Sequence, residues 1–255
     1  MPTITLFNPK GGCGKSTAAL VLATELAERG ASVAILDGDP NPNLFRWAEG
    51  RGLPTLDTEK VAAKTSTEVL DLIDDELRGA KSVAVRCRHD QAVSKWVHAL
   101  SQRFTFVICD PEGTANAWVT FASQMSDLVV VPLRPSPMDG EQMLVAVDLL
   151  EGMSGALRRQ IPFRLLFTCC GSFITRDEDN IRKTAARVGY QILPTRLAER
   201  AAYRAMVGRQ MTLAELATLP TKGEDAISGV DKARQNAAAF CRDVIEALNL
   251  AEAVA

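Results

Sequence analysis

Seven residues near the start of the chain have the types and the spacing needed to hold phosphate groups. They are Lys10, Gly11, Gly12, Cys13, Gly14, Lys15 and Ser16. The glycines let the backbone curl tightly and turn its N–H groups toward an anion, and a helix that begins near Lys15 adds the positive end of its dipole. Lys15 supplies a charge for the β- and γ-phosphates, Ser16 supplies a hydroxyl for Mg²⁺, and Thr17 completes the cradle. The run therefore predicts a nucleotide-binding loop.

The spacing of this loop differs from that of the ordinary phosphate loop. The pattern GxxxxGK[ST] would place glycine at position 9, where the sequence has Pro9. The variant KGGxGK[ST] fits at every position, and it resembles the deviant Walker A loop of the ParA/MinD family of ATPases. This resemblance implies ATP and Mg²⁺ as cofactors. It also implies catalytic roles for Lys15 and for Lys10, which would reach the nucleotide of a partner subunit in an ATP-bound homodimer. A cation that arrives only on dimerisation makes hydrolysis depend on assembly.

The first acidic turn, Asp37-Gly38-Asp39-Pro40-Asn41, follows a predicted strand downstream of the loop. It resembles the first switch segment of the same family. The resemblance implies that Asp39 is a catalytic residue that orients the attacking water, and that Asp37 lies near the Mg²⁺ ligand shell. A carboxylate suits both tasks because it accepts hydrogen bonds from water and balances the charge of the metal. The alternative is a pair of capping residues after a strand.

The second acidic turn follows the apolar strand Phe106–Cys109. This strand resembles a Walker B strand, and Asp110 would then hold a water molecule of the Mg²⁺ shell. Pro111-Glu112-Gly113 would be the second switch, in which Glu112 departs from the family pattern. Farther along, Thr168 falls where many members have an asparagine that reads adenine. Recognition of the base is therefore expected to depend on backbone contacts.

Apolar runs alternate with longer helical patterns along the chain. Continuous apolar strands indicate a parallel sheet that is covered on both faces. We therefore expect residues 1–255 to form a single α/β domain of the P-loop NTPase type, with a mostly parallel, twisted sheet and helices on both faces. The predicted strands are 4–7, 33–36, 82–86, 104–109, 128–131, 163–167 and 191–193, and the predicted helices are 16–29, 67–77, 92–100, 141–150, 179–188 and 232–248.

The composition is that of an ordinary globular protein. Hydrophobic residues make up 47% and charged residues 24% of the chain, and the formal net charge is −2. No apolar run approaches the ~18 residues of a membrane-spanning helix, and the first residues lack the features of an export signal. The six cysteines form no CxxC pair and no zinc spacing. These features favour a cytoplasmic protein with reduced thiols.

The segment from Leu157 to Thr212 is basic although the whole chain is not. It contains eleven Arg and Lys residues against four Asp and Glu residues. The part that contains Arg196, Arg200 and Arg204 resembles the late region of ParA partition proteins, where basic residues of the ATP-bound dimer contact DNA without sequence preference. On one helix these three arginines would form a stripe suited to phosphates. Arg182, Lys183 and Arg187 would extend the stripe. The alternative is a solvated helix surface.

Taken together, the resemblance implies an ATP-dependent dimerisation switch that binds DNA. Slow ATP hydrolysis, stimulated by an activating adaptor protein, would drive plasmid or chromosome partition, or conjugative DNA transfer as in VirC1-like relatives, at the nucleoid. Two alternatives stay open. A MinD-like membrane- or cargo-positioning ATPase needs a basic amphipathic end, and residues 241–252 carry more acid than base. The other is a metabolic P-loop enzyme of the same superfamily, such as a reductase-like protein or an ATP-dependent synthetase. The reductase form needs cysteine ligands for an iron–sulfur cluster, and Cys109, Cys169 and Cys170 are poorly placed for that task.

Overall fold

Parallel strands form the centre of the molecule. The computed structural model describes residues 1–60, 65–77, 79–220, 223 and 226–252. Within these ranges, seven strands pair in parallel in the order β3-β4-β2-β5-β1-β6-β7. The strands are β1 Thr3–Leu6, β2 Val33–Asp37, β3 Thr55–Asp57, β4 Ser82–Arg86, β5 Phe106–Asp110, β6 Leu128–Leu133 and β7 Phe163–Phe167.

Helices cover both faces of this sheet, because its central strands are apolar on both sides. Every residue of β1, β2 and β6 is buried. The helices are α1 Lys15–Glu28, α2 Asn43–Gly50, α3 Ser66–Glu76, α4 Asp90–Ser101, α5 Ala117–Gln124, α6 Pro137–Leu157, α7 Arg176–Val188, α8 Ala201–Gly208, α9 Leu213–Leu216 and α10 Val230–Glu252. One apolar cluster joins α1, α2, α8, α9 and α10, and a second joins α3, α4 and α5. The predicted α/β fold is confirmed.

The strand order brings three predicted loops to one edge of the sheet. In the order β2-β5-β1, the loops that follow these strands leave from neighbouring carboxyl ends, which is where ligands bind in open parallel sheets. The register places Asp37 directly opposite Asp110. The phosphate loop, which follows β1, begins beside them.

Several elements differ from the sequence prediction. The predicted strand 191–193 is wrong, since only an isolated bridge joins Ile192 to Leu165. Helix α6 is longer than predicted because the Ser136 side chain caps its first turn and Pro137 occupies a position where its missing N–H costs nothing. The sequence analysis also missed β3, α2, α5 and α9, which are short.

The last helix, α10, packs on the sheet as part of the main core. Its apolar residues Phe240 and Val244 are buried in the same cluster as α1. No helix in the described part of the chain is long and apolar enough to cross a bilayer.

Candidate functional site

The phosphate loop is held in a tight curve by its glycines and by two polar anchors. Gly12 and Gly14 have positive φ angles of 72° and 89°, which side chains rarely tolerate. At the entrance, the buried Asn8 donates from Nδ2 to the Pro132 carbonyl at 2.7 Å and accepts the Lys10 N–H at 2.9 Å. At the far end, Thr168 Oγ1 donates to the Cys13 carbonyl at 2.6 Å. The loop is therefore shaped before any ligand binds.

The two lysines of the loop have different surroundings. Lys15 is buried, and its ammonium donates to the Lys10 carbonyl at 3.1 Å. The ammonium of Lys10 instead turns away and pairs with Asp139 Oδ2 at 2.5 Å. Lys15 thus stays inside the loop, while Lys10 is held at the start of α6 within the same chain.

Asp139 is a site residue that the sequence analysis missed. Burial raises the pKa of its carboxyl, but hydrogen bonds from Lys10, from the Ser136 hydroxyl and from the Arg134 N–H outweigh this effect and lower the pKa below its ordinary value. The signal was available in the sequence. Ser136-Pro137-Met138-Asp139 has a cap residue, proline at the first helical position and an acid in the first turn, which together indicate a helix start.

The carboxylate of Asp110 lies at the bottom of the site and lacks a full set of partners. It is almost fully buried, and its Oδ1 atom has no hydrogen-bond partner among the described residues. Burial raises its pKa to about 8, the charge of Asp37 adds to this, and the Ser16 hydroxyl and Lys15 act in the opposite direction. A buried, orphaned carboxylate oxygen beside a serine hydroxyl fits a cation with its water shell.

The carboxylate of Asp37 is occupied by backbone groups. Its Oδ2 accepts the N–H groups of Leu44 and Phe45, both at 3.0 Å, and its Oδ1 accepts that of Asp39 at 3.1 Å. Burial raises its pKa to about 6, against the lowering effect of these bonds. Asp37 therefore caps α2 and shapes the turn, which is the alternative that the sequence left open. Its place near a metal shell stays a prediction.

A cavity of about 710 Å³ lies between the loop, the first acidic turn and α8. Asp39, Thr168 and Cys169 line the cavity, and Gly113 lies beside Lys15. Within the described ranges, no group of three or more His, Cys, Asp and Glu side chains is arranged to hold a metal. Mg²⁺ needs no such group, because it commonly binds through one or two protein oxygens, waters and substrate phosphates. The cavity-lining residues of the loop are Gly11, Gly12, Gly14, Lys15, Ser16 and Thr17.

The hydroxyl of Thr168 is used by the protein itself. It donates to the Cys13 carbonyl and also lies 3.2 Å from the Leu133 carbonyl. A Cβ atom on Gly14 would lie 3.4 Å from the Thr168 Cβ, so the side chain packs directly against the loop. Thr168 therefore fixes the loop to the ends of β6 and β7.

The predicted arginine stripe is wrong. Helix α8 begins at Ala201, so Arg196 lies in the preceding loop, Arg200 is the N-cap residue and only Arg204 is helical. Arg200 and Arg204 line the cavity at the strand ends. The spacing of four residues was misleading because the helix starts later than the charge pattern does.

Two of the six predicted DNA-contacting residues are held by one buried carboxylate. Glu178 in α7 is fully buried and pairs with Arg182 at 2.8 Å and with Arg196 at 2.7 Å. Arg182 also lies over the ring of Phe167, 4.7 Å from its centroid. Lys183 and Arg187 are exposed on the same helix. Arg182 and Arg196 thus stabilise the packing of α7.

The family to which the chain belongs follows from a match to known sequences. A family described as ATPase MipZ matches residues 2–159, which contain the loop and both acidic turns. The chain belongs to the MipZ/ParA family. Members of this family are ATPases, which supports ATPase activity for this chain at the level of the family.

Individual relatives from the MipZ/ParA family are similar to this chain over most of its length. A protein named ParA from Rhizobium radiobacter is 29% identical over 249 residues, which are 97% of this chain and 100% of the relative. VirC1 from the same organism is 24% identical over 233 residues, which are 87% and 88% of the two chains. A plasmid partition protein from Borrelia burgdorferi, solved with AMPPNP bound, superposes with a TM-score of 0.63 at 16% identity over 96% of this chain and 98% of its own. At 16% identity the superposition shows that the two proteins share a fold and nothing more.

Proposed function

We propose that this chain is an ATP-dependent dimerisation switch that binds DNA without sequence preference and hydrolyses ATP slowly in the cytoplasm. Its task would be DNA partition or conjugative DNA transfer. The observation that carries the proposal is the cavity at the strand ends, which is lined by Lys15, Ser16 and Asp39 and has the buried carboxylate of Asp110 beside Ser16. Phosphate, cation and attacking water can be bound together there.

The loop 11–17 would hold the phosphates of ATP, with Lys15 on the β- and γ-phosphates. Ser16 and Asp110 would hold Mg²⁺, which supplies charge neutralisation on the phosphates when it is bound. The orphaned Oδ1 atom of Asp110 supports this assignment. Asp39 lines the cavity without being buried, and it would orient the attacking water.

Dimerisation would change the partner of Lys10. In the single chain its ammonium is paired with Asp139, so it neutralises a carboxylate of its own subunit. We propose that this pair opens when a second copy approaches and that Lys10 then contacts the nucleotide of that copy. Hydrolysis would stay slow until assembly, and an adaptor protein that favours the open arrangement would stimulate it.

DNA contact would depend on the basic residues that have no buried acidic partner. Arg200 and Arg204 line the cavity, and Lys183 and Arg187 are exposed on α7. Arg204 pairs with the exposed Glu199, a contact that is weak in water and easily exchanged for a phosphate. Binding to phosphates by these side chains would be independent of sequence.

A switch that positions a protein cargo is the second candidate. The observation that favours it is the exposed apolar pair in the loop after β7, where Phe173 is 85% and Ile174 is 58% exposed. Large exposed apolar side chains that lie together commonly mark a protein contact. For this candidate, nucleotide would drive the same dimerisation, but DNA would not bind.

Size-exclusion chromatography of Asp39→Ala tests the first candidate. With ATP, this variant should elute as a dimer because hydrolysis is blocked, and it should carry DNA with it. Glu49→Ala, an exposed carboxylate in α2, is the matched control and should behave as wild type. DNA binding should weaken steeply as salt rises, because released counterions drive it.

The results separate the candidates. A dimer that carries DNA with ATP but not with ADP supports the DNA switch. An ATP-dependent dimer that ignores DNA supports the cargo switch. Equal DNA binding with ATP and ADP, or an Asp39→Ala monomer that ignores ATP, contradicts both.

A further inference from the structure

The turn that carries Asp39 lies directly against the indole ring of Trp118. A Cβ atom placed on Gly38 would lie 2.4 Å from Cε2 and 2.6 Å from Cζ2 of that ring. Such distances do not occur between real atoms, so the indole occupies the space that any side chain at position 38 would need. The glycine between Asp37 and Asp39 is therefore required by this contact.

The indole is fixed in place by hydrogen bonds that also hold the turn. Trp118 is buried, and its Nε1 donates to the Cys87 carbonyl at 2.7 Å. The Cys87 N–H in turn donates to the Asp37 carbonyl at 2.9 Å. On the other side, the Gly38 N–H donates to the Asp110 carbonyl at 3.0 Å. Trp118 thus touches the turn directly and is also linked to it through Cys87.

The position of Trp118 along the chain joins it to the second acidic turn. Trp118 is the second residue of α5, and Gly113 comes five residues before it. A Cβ atom on Gly113 would lie 2.9 Å from Lys15 Nζ, so this loop already packs against the phosphate-binding lysine. A γ-phosphate bound by Lys15 must come close to Gly113. The same loop leads directly into α5, because Asn116, three residues after Gly113, caps the helix by accepting the Val119 N–H at 3.1 Å.

We propose that Trp118 is a positioning residue that couples the loop at Gly113 to the turn that carries Asp39. A γ-phosphate would set the position of Gly113, α5 would carry the indole with it, and the indole would fix the orientation of Asp39. ADP, which lacks this phosphate, would leave the indole where it is. The inference rests on the proposed ATPase function, because Asp39 needs a role for its orientation to matter.

Replacement of the indole tests the coupling against a matched control. Trp118→Phe should lower kcat about tenfold and leave KM and the affinity for ADP within about twofold, because only the alignment of Asp39 changes. Trp96→Phe is the control, since Trp96 is buried in the same apolar cluster on α4. Thermal unfolding of both variants checks that each is folded. Wild-type kcat in Trp118→Phe, or an equal loss in both variants, overturns the proposal.

Fluorescence gives a second readout that does not depend on turnover. Subtracting the emission spectrum of Trp118→Phe from that of the wild type isolates the fluorescence of Trp118, because both proteins contain Trp47 and Trp96. This difference should change on addition of a non-hydrolysable ATP analogue and stay constant with ADP. The same response to both nucleotides overturns the coupling. If the wild type binds nucleotide but does not hydrolyse ATP, the proposed function fails, and the fluorescence still decides whether Trp118 follows the γ-phosphate.

Discussion

Two regions of the molecule concentrate positive charge, and they are built differently. At the phosphate loop, backbone geometry places the charges, since Gly12 and Gly14 adopt positive φ angles and Lys15 follows at the start of α1. In the basic segment 157–212, side-chain partners place some of the arginines, since the buried carboxylate of Glu178 pairs with both Arg182 and Arg196. A charge placed by the backbone can be predicted from a short motif. A charge placed by a partner elsewhere in the chain cannot.

The largest effect is expected for Lys15, whose charge is positioned by the backbone of the phosphate loop. Lys15→Ala should weaken ATP binding about a thousandfold, or ~4 kcal/mol, because a buried phosphate partner is removed. Titration with a fluorescent ATP analogue measures this. Lys232→Ala, an exposed lysine of α10, is the control and should bind ATP as wild type does. Unchanged affinity in Lys15→Ala would mean that the loop does not hold the phosphates.

The next largest effect is expected for Arg182 and Arg196, whose positions depend on the carboxylate of Glu178. Glu178→Gln should lower the free energy of unfolding by about 3 kcal/mol, because Arg182 and Arg196 lose a buried carboxylate. Urea denaturation measures this. The affinity for ATP should stay unchanged, since the cluster lies outside the cavity lining. Glu199→Gln, whose pair with Arg204 is exposed, should cost less than about 0.5 kcal/mol. An equal loss of unfolding free energy in Glu178→Gln and Glu199→Gln would contradict the distinction between a buried and an exposed arginine pair.

A smaller effect is expected for DNA. Arg204→Ala should weaken ATP-dependent DNA binding about fivefold and lower the slope of log affinity against log salt by about one, as the loss of one phosphate contact requires. Fluorescence anisotropy with a labelled duplex over a range of KCl concentrations measures both quantities. Arg209→Ala, at the C-cap position that follows α8, is the matched comparison. If Arg204→Ala changes ATP affinity but not DNA binding, Arg204 belongs to the nucleotide site alone.

The smallest effect depends on pH. Hydrogen bonds from Arg51 lower the pKa of Glu215, so this pair stabilises the fold above the ordinary pKa of glutamate and stops doing so as the pH falls through the lowered value. Glu215 is partly exposed, and we expect less than about 1 kcal/mol at neutral pH. The difference in unfolding free energy between wild type and Glu215→Gln should shrink on acidification. A difference that grows instead would contradict the assignment of the pair.

The sequence predicted the parallel sheet, the phosphate loop and both acidic turns because each depends on local rules. Continuous apolar strands, glycine spacing and an acid at a strand end need no knowledge of distant residues. The role of Asp37 as a cap for α2 could not be predicted, because α2 is a short helix that the sequence pattern did not indicate. The partner of Lys10 was missed because Asp139 lies far along the chain. The packing of Trp118 against Gly38 is likewise a tertiary contact that the sequence did not indicate.

The central claim is that Lys10 acts on the nucleotide of a second copy, and mixing two inactive variants tests it most directly. Lys10→Ala keeps its own Asp39, and Asp39→Ala keeps its own Lys10. In a mixed dimer, the Lys10→Ala subunit would receive Lys10 from its partner and would have one complete site. We predict that each variant alone is inactive and that an equal mixture recovers about a quarter of wild-type ATP hydrolysis, given random pairing in a twofold dimer. An inactive mixture in which mixed dimers form would contradict the claim.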